Sequence, residues 1–221
     1  MPRESFDRQL RAIQLDILSL GSMAAKAVER AVEALRARNA AQAQGVIDGD
    51  SELDDLAYRI EEQALLLIAT QQPMASDLRI IASAIAIAGE LERIGDYAEG
   101  IAKVALLSLD EPPLKPLIDI PRMSELSIDM LRRSLDAYIA HNTAAARSIW
   151  NEDDQIDALN DQIYRELLTY MLADPATITR ATRLLWVAHN LERIADRVTN
   201  ICERTTFMVT GNRAELKAHG Y

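Results

Sequence analysis

Eight acidic residues in this chain fall into pairs whose spacing points to metal chemistry. The segments Leu91-Glu92-Arg93-Ile94-Gly95-Asp96 and Leu191-Glu192-Arg193-Ile194-Ala195-Asp196 each place two carboxylates four residues apart, as do Asp50 with Asp54 and Asp153 with Asp157. On a helix that spacing puts both side chains on one face, where like charges oppose helix formation by roughly 0.2–0.5 kcal/mol per pair. A cation is the natural compensation. Carboxylates are hard oxygen ligands suited to magnesium, calcium, manganese or iron, whereas selective zinc sites usually add histidine or cysteine. Ligand type alone leaves the metal open, zinc included. The bland alternative is that these acids face water or pair with Arg59, Arg93, Arg165 and Arg193.

A duplicated framework must position them. Asn39-Ala40-Ala41 matches Asn142-Thr143-Ala144, and Asp50-Ser51-Glu52-Leu53-Asp54 matches Asp153-Asp154-Gln155-Ile156-Asp157, both at an offset of 103, while the Leu-Glu-Arg-Ile segments are offset by 100. Between them stand Pro73 and Pro175, at each of which a helical hairpin turns. Asp54 and Glu92 each lie 19 residues from Pro73, and Asp50 and Asp96 each lie 23 away. In an antiparallel hairpin the four carboxylates therefore sit level. Around Pro175 the distances are 18 and 22 before it, to Asp157 and Asp153, and 17 and 21 after it, to Glu192 and Asp196. The second quartet survives the shortening. A stripe through Ile81, Ile85 and Ala88 continues into Glu92, Asp96 and Glu99, so the acids extend an apolar line.

Strong helix formers and apolar residues at helical spacing predict six helices, at roughly 5–38, 40–71, 75–108, 121–141, 143–172 and 176–210. The expected fold is all-α: two tandem antiparallel three-helix bundles, 1–109 and 121–211, joined by the proline-rich linker 110–120 and followed by a polar tail, 212–221. Asn39 and Asn142 suit the N-caps of the second and fifth helices, and Ser76 or Asp77 that of the third. Gly211 reads as a helix stop. Helices of about 30 residues, or about 45 Å, with heptad-like seams should pack nearly parallel. Trp150 and Trp186 are expected in core or interface packing. Arg93 and Arg193 project about 100° from each neighbouring Glu, which points to salt bridges or contacts between the bundles.

The net charge of −10 argues against nucleic acid and against simple attachment to an anionic membrane, since both want a basic patch. The single Cys202 excludes an intramolecular disulfide, and the charged start Met1-Pro2-Arg3-Glu4-Ser5 lacks a following apolar region, so a cytoplasmic location is expected. The longest apolar stretch, around Ile80 to Gly89, is far below the about 18–20 residues that span a bilayer. Any membrane link would run through a partner. No phosphate-binding glycine loop, nucleophile–base arrangement or Cys/His cluster is present, and no enzyme is expected. His189 lies three residues before Glu192, but Gly89 holds the matching place in the first half, unlike the Glu-x-x-His pairs of di-iron bundles. His189 is expected to be partly buried and hydrogen-bonded; His141 and His219 fall near helix ends.

Two three-helix repeats, each with Asp-x-x-x-Asp on its second helix and Leu-Glu-Arg-Ile-x-Asp on its third, resemble the PhoU family of bacterial phosphate-transport accessory and regulatory proteins. The resemblance covers essentially the whole chain, including Phe6 to Leu35, Pro73-Met74-Ala75-Ser76-Asp77-Leu78-Arg79, and Glu203-Arg204 to Thr210-Gly211. It implies a non-enzymatic negative regulator of the phosphate-starvation response, an adaptor between the ATPase subunit of a phosphate ABC transporter and a membrane sensor histidine kinase. It also implies multinuclear metal clusters, iron among the metals, at Asp50, Asp54, Glu92 and Asp96 and at Asp153, Asp157, Glu192 and Asp196. Family analogy and long apolar seams together imply a homodimer. The second half departs at Thr177-Ile178-Thr179-Arg180, where the Asp-Leu-Arg sequence is lost, which would confine any function of that turn to the first half. The competing readings are a carboxylate-bridged metalloenzyme and a metal-free helical scaffold.

Overall fold

The computed structural model describes residues 2–212 as helices and turns. They run α1 (Pro2–Ala37), α2 (Ala40–Gln71), α3 (Ala75–Leu107), α4 (Asp119–Ile139), α5 (Thr143–Trp150), α6 (Asp153–Ala173), a 3-10 turn (Pro175–Thr177) and α7 (Ile178–Thr210). The first three helices form one bundle; α4 and α7, with α5 and α6 packed against both, form the other. The expected tail beyond Asn212, with His219, lies outside the described residues.

Local chemistry sets the helix ends. Asn39 Oδ1 accepts from the Gln42 amide at 3.1 Å and Asn142 Oδ1 from the Ala145 amide at 3.0 Å, satisfying donors with no intrahelical partner. Gly211 closes α7 at φ 75°, a conformation only glycine adopts cheaply. The start of α3 differs from expectation: Met74 is the N-cap, without a side-chain hydrogen bond, and Asp77 lies in the first turn, where it complements the helix dipole. Helix α4 begins before Pro121, because a proline in the first turn removes an amide that has no partner there.

The expected fifth helix is interrupted at Asn151 and Glu152. The run Asn151-Glu152-Asp153-Asp154 is a weak helix former, and Glu152 is gripped by both terminal nitrogens of Arg133 on α4. That pull opens a turn and leaves Asp153 as the first residue of α6, whereas its counterpart Asp50 lies within α2.

Burial follows the duplication. Ile60 and Ala64 on α2 are matched by Ile163 and Leu167 on α6, and Ile87, Leu91 and Ile94 on α3 by Val187, Leu191 and Ile194 on α7, all buried. The two cores merge into one hydrophobic cluster, because α3 packs along α7 and α1 along α4. Helices α3 and α7 are antiparallel: Arg79 Nε donates to the Met208 carbonyl at 3.4 Å, Ser83 Oγ to that of Arg204 at 3.3 Å, and Asn200 Nδ2 to Glu90 Oε2 at 3.1 Å. A side chain at Gly100 would come within 2.9 Å of Asn190 Nδ2. Since 190 and 200 repeat 90 and 100, the contacts 90–200 and 100–190 are one contact made twice. The halves are therefore related by a local twofold axis passing near Gly95 and Ala195.

Glu90 anchors this interface. Its carboxylate is buried between Asn200, Arg197 Nη1 at 3.3 Å and Arg93 Nη1 at 3.6 Å. Across α1 and α4 the approach is closer still, with a β-carbon on Gly21 falling 2.2 Å from Leu135 Cδ1. The linker is tied down by Arg38, which donates to the carbonyls of Leu109 and Glu111, and by Arg183, 3.3 Å from the Glu111 carboxylate.

A shared core predicts that urea unfolds both bundles in one transition. Glu90→Ala, which strands Arg197 in the interface, should lower the unfolding free energy by about 3 kcal/mol while keeping the transition single. Two separate transitions, or an unchanged midpoint in the variant, would show that the bundles are held independently.

Candidate metal centre

The first hairpin brings Asp50 and Asp54 of α2 against Asp96 of α3. One oxygen from each lies within 4.8 Å of the other two, a spacing from which three carboxylates can reach one ion. Gly95 permits the approach: a β-carbon there would stand 3.1 Å from Asp50 Oδ1 and 3.1 Å from Leu53 Cδ2. Glu92 lies in the same acidic field without joining the tight group, and its pKa is raised by burial and by the charges of Asp96 and Asp54.

Glu99 is an addition to the expected quartet. Its charge acts on both Asp50 and Asp96, and Lys103 Nζ sits 2.5 Å from its carboxylate. The stripe through Glu92 and Asp96 leads to it, but the duplicated motif stops at Asp96 and the counterpart of Glu99 is Thr199. Motif matching alone leaves it out.

The second hairpin gathers Asp153, Asp157, Glu192 and Asp196 into one electrostatic field, with a different arrangement. Arg193 Nη1 bonds Asp196 Oδ2 at 2.9 Å, and Arg193 Nε and His189 Nδ1 each lie 3.4 Å from Glu192 Oε2. Among the described residues that oxygen is buried and accepts no hydrogen bond, these two neighbours being ion-pair contacts only. Arg93, by contrast, turns to Glu90 in the bundle interface. The reason is in the sequence: the residue three before Arg93 is Glu90, while three before Arg193 stands the neutral Asn190. His189 is exposed rather than partly buried, and Trp186 is exposed because its neighbour Val187 takes the core position; Trp150 packs against the core.

Desolvation and crowding both work against ionisation here. Burial, followed by the charges of Asp54, Glu99 and Asp96, pushes Asp50 up to about 6; burial, followed by Asp157, Asp196, Glu192 and Asp154, pushes Asp153 up to about 7. Asp96, Asp157 and Glu192 are raised as well, burial leading in each. Three carboxylate oxygens that converge within 4.8 Å of one another are a donor set that a hard cation fits. Asp50, Asp54 and Asp96 would hold it in the first half; in the second, Arg193 already supplies positive charge to Glu192 and Asp196.

Comparison with known proteins adds an independent line. The family model described as the PhoU domain matches residues 17–105 and again 120–205. A phosphate-specific transport system accessory protein PhoU homolog from Caulobacter vibrioides is 41% identical over 209 residues, covering 94% of this chain and 91% of its own. Its namesake from Clostridium acetobutylicum is 36% identical over 217 residues, covering 98% and 99%. Among solved structures, PhoU from Pseudomonas aeruginosa superposes with a TM-score of 0.89 at 31% identity, covering 94% of this chain and 100% of that one. The phosphate transport system regulatory protein PhoU from Streptococcus pneumoniae gives 0.86 at 31% identity, with coverage of 94% and 98%.

Raised carboxyl pKa values fix the sign of a pH effect. Below about pH 4 folded and unfolded chains both hold these protons; between about pH 4 and 7 the unfolded chain releases protons that the folded chain keeps, so their contribution to stability falls as pH rises. Chelator-treated protein should therefore melt at a lower temperature at pH 7.5 than Asp50→Asn/Asp153→Asn protein, with the gap closing at pH 4. Manganese added to the parent at pH 7.5 should raise its Tm. Identical Tm profiles for parent and variant across this range would show that the acids are not crowded.

Proposed function

The chain belongs to the PhoU family, and from that premise we propose that it is an adaptor that restrains phosphate uptake and the phosphate-starvation response when phosphate is plentiful. Its relatives are named as accessory proteins of the phosphate-specific transport system, and a phosphate-transport accessory or regulatory role comes with the family. The partners in this reading are the transporter's ATPase subunit and a sensor histidine kinase at the cytoplasmic face of the membrane. Among the described residues no helix is long and apolar enough to cross a membrane, so attachment there would run through those partners.

The observation that carries the reading is the pair of acidic hairpins held at one level about the local twofold axis. Duplicated faces on a rigid helical scaffold suit recognition by contact, and relatives that share the fold carry accessory or regulatory names. We propose that a hard cation, iron or manganese among the candidates, binds at Asp50, Asp54 and Asp96 with Glu92 and Glu99 nearby, and a second at Asp153, Asp157, Glu192 and Asp196. Bound metal would neutralise the crowded carboxylates and lock α2 to α3 and α6 to α7, fixing the faces that partners meet.

The test is recovery of partners from solubilised membranes of phosphate-replete cells by the full-length tagged chain. The ATPase subunit or the sensor kinase should be enriched at least about tenfold over an untagged control. Repeated failure to enrich either protein would overturn the adaptor reading.

A further inference from the structure

Each hairpin carries a second feature beside its acids: an exposed apolar strip running to the hairpin tip. At about 100° per residue, Tyr58 and Leu65 share the face of Asp54 on α2, and Leu78 shares that of Glu92 and Asp96 on α3. On the second hairpin Tyr164, Leu168 and Leu172 share the face of Asp157, and Ile178 that of Glu192 and Asp196. Two positions on each strip repeat with the fold, whereas Tyr58 and Tyr164 correspond to Asp161 and Glu61. Leu65 and its counterpart Leu168 are 52% and 39% exposed, and Leu78 and its counterpart Ile178 are 41% and 48% exposed. Scattered surface leucines need no explanation, but exposed apolar residues on both arms of a hairpin, matched at equivalent places in the other half, mark an interaction surface.

Charge identifies what fits. Exposed Glu61 and Asp161 stand on the faces of the two strips themselves, between their apolar residues, and exposed Glu62 and Asp154 lie beside them; none of the four is a candidate metal ligand. Arg165, 3.4 Å from Asp161, partly offsets the second rim, but the chain as a whole carries −10. From Asp157 to Leu172 the face is about 22 Å long, or four turns of helix. An amphipathic helix with apolar residues at i, i+4 and i+7 and basic residues at one end matches that length and charge. The internal twofold relation supplies the rest: two equivalent strips on one chain face two equivalent elements.

We propose that the two strips together receive a pair of basic amphipathic helices presented by one twofold-symmetric partner. Engaging both strips at once turns two modest contacts into one tight one, because the second binds at the effective concentration set by the first. The inference deepens the adaptor reading by stating the symmetry and surface chemistry of the partner, and rests on that reading for the partner's biological role.

The probe is a designed helical peptide of roughly 18 residues, with leucines at i, i+4, i+7 and i+11 and three arginines at one end. It is titrated calorimetrically into the full chain, singly and as a pair joined by a flexible Gly/Ser arm of about 40 residues. Two single peptides should bind per chain, and the joined pair should bind one-to-one and at least about tenfold more tightly. Leu65→Asp/Leu78→Asp should abolish one peptide site and the gain from joining, and Leu168→Asp/Ile178→Asp should do the same. All four positions are exposed, so circular dichroism should be unchanged. Absent binding, a single site, no gain on joining, or indifference to both double variants would each overturn the proposal. So would a dimer of this chain, seen by sedimentation, that the same variants disperse, since the strips would then belong to a second copy. If the peptides bind as stated but no transporter subunit or kinase is recovered from cells, the adaptor reading fails and the docking strips stand; the converse result removes the strips alone.

Discussion

Everything in this molecule is arranged around like charges that helix geometry forces together. Acids at i and i+4 crowd one face of a helix, and the antiparallel hairpin sets a second such face opposite the first. Asp50 and Asp153, pushed to about 6 and about 7 chiefly by burial and then by their neighbours, record that cost. The hydrophobic stripes leave little choice. Ile87, Leu91 and Ile94 on α3, and Ile60 and Ala64 on α2, must face the core, and once they do, Glu92, Asp96 and Asp54 stand at its edge. The apolar packing thus supplies the energy that holds the acids in place, and a cation is the complement that relieves it.

The same segments join the halves. The Leu-Glu-Arg-Ile stretches lie where α3 and α7 cross, so one side of each helix carries acids and another carries the interface. Arg93 and Arg197 approach Glu90 while their sequence neighbours Glu92 and Asp196 face the candidate centres. A change in one acidic centre therefore sits within two residues of the contact between bundles. A single continuous core makes the pair one rigid body for partners to meet.

Much of this was legible in the sequence, and the exceptions have identifiable causes. Residue counts from Pro73 and Pro175 predicted acidic faces at one level, and the structure brings Asp50, Asp54 and Asp96 within 4.8 Å. Asn39, Asn142 and Gly211 act at helix ends as their chemistry requires. The break before Asp153 was not visible, because it depends on Arg133 reaching Glu152 from another helix. The unlike roles of Arg93 and Arg193 follow from Glu90 and Asn190, a difference that similarity between the repeats conceals. The merged core was hidden too, since the small side at Gly21 acquires meaning only when Leu135 is found against it.

The central claim is that these acids form a cation site rather than a solvated face. Elemental analysis of untagged protein, expressed and purified without metal-affinity steps, tests it most directly when parent and Asp50→Asn/Asp54→Asn proteins are compared. The account predicts stoichiometric iron, manganese or another hard cation in the parent, and loss of the first-half share in a variant that keeps its helical circular dichroism. A parent free of metal, or a variant with the parent's metal content, would contradict it.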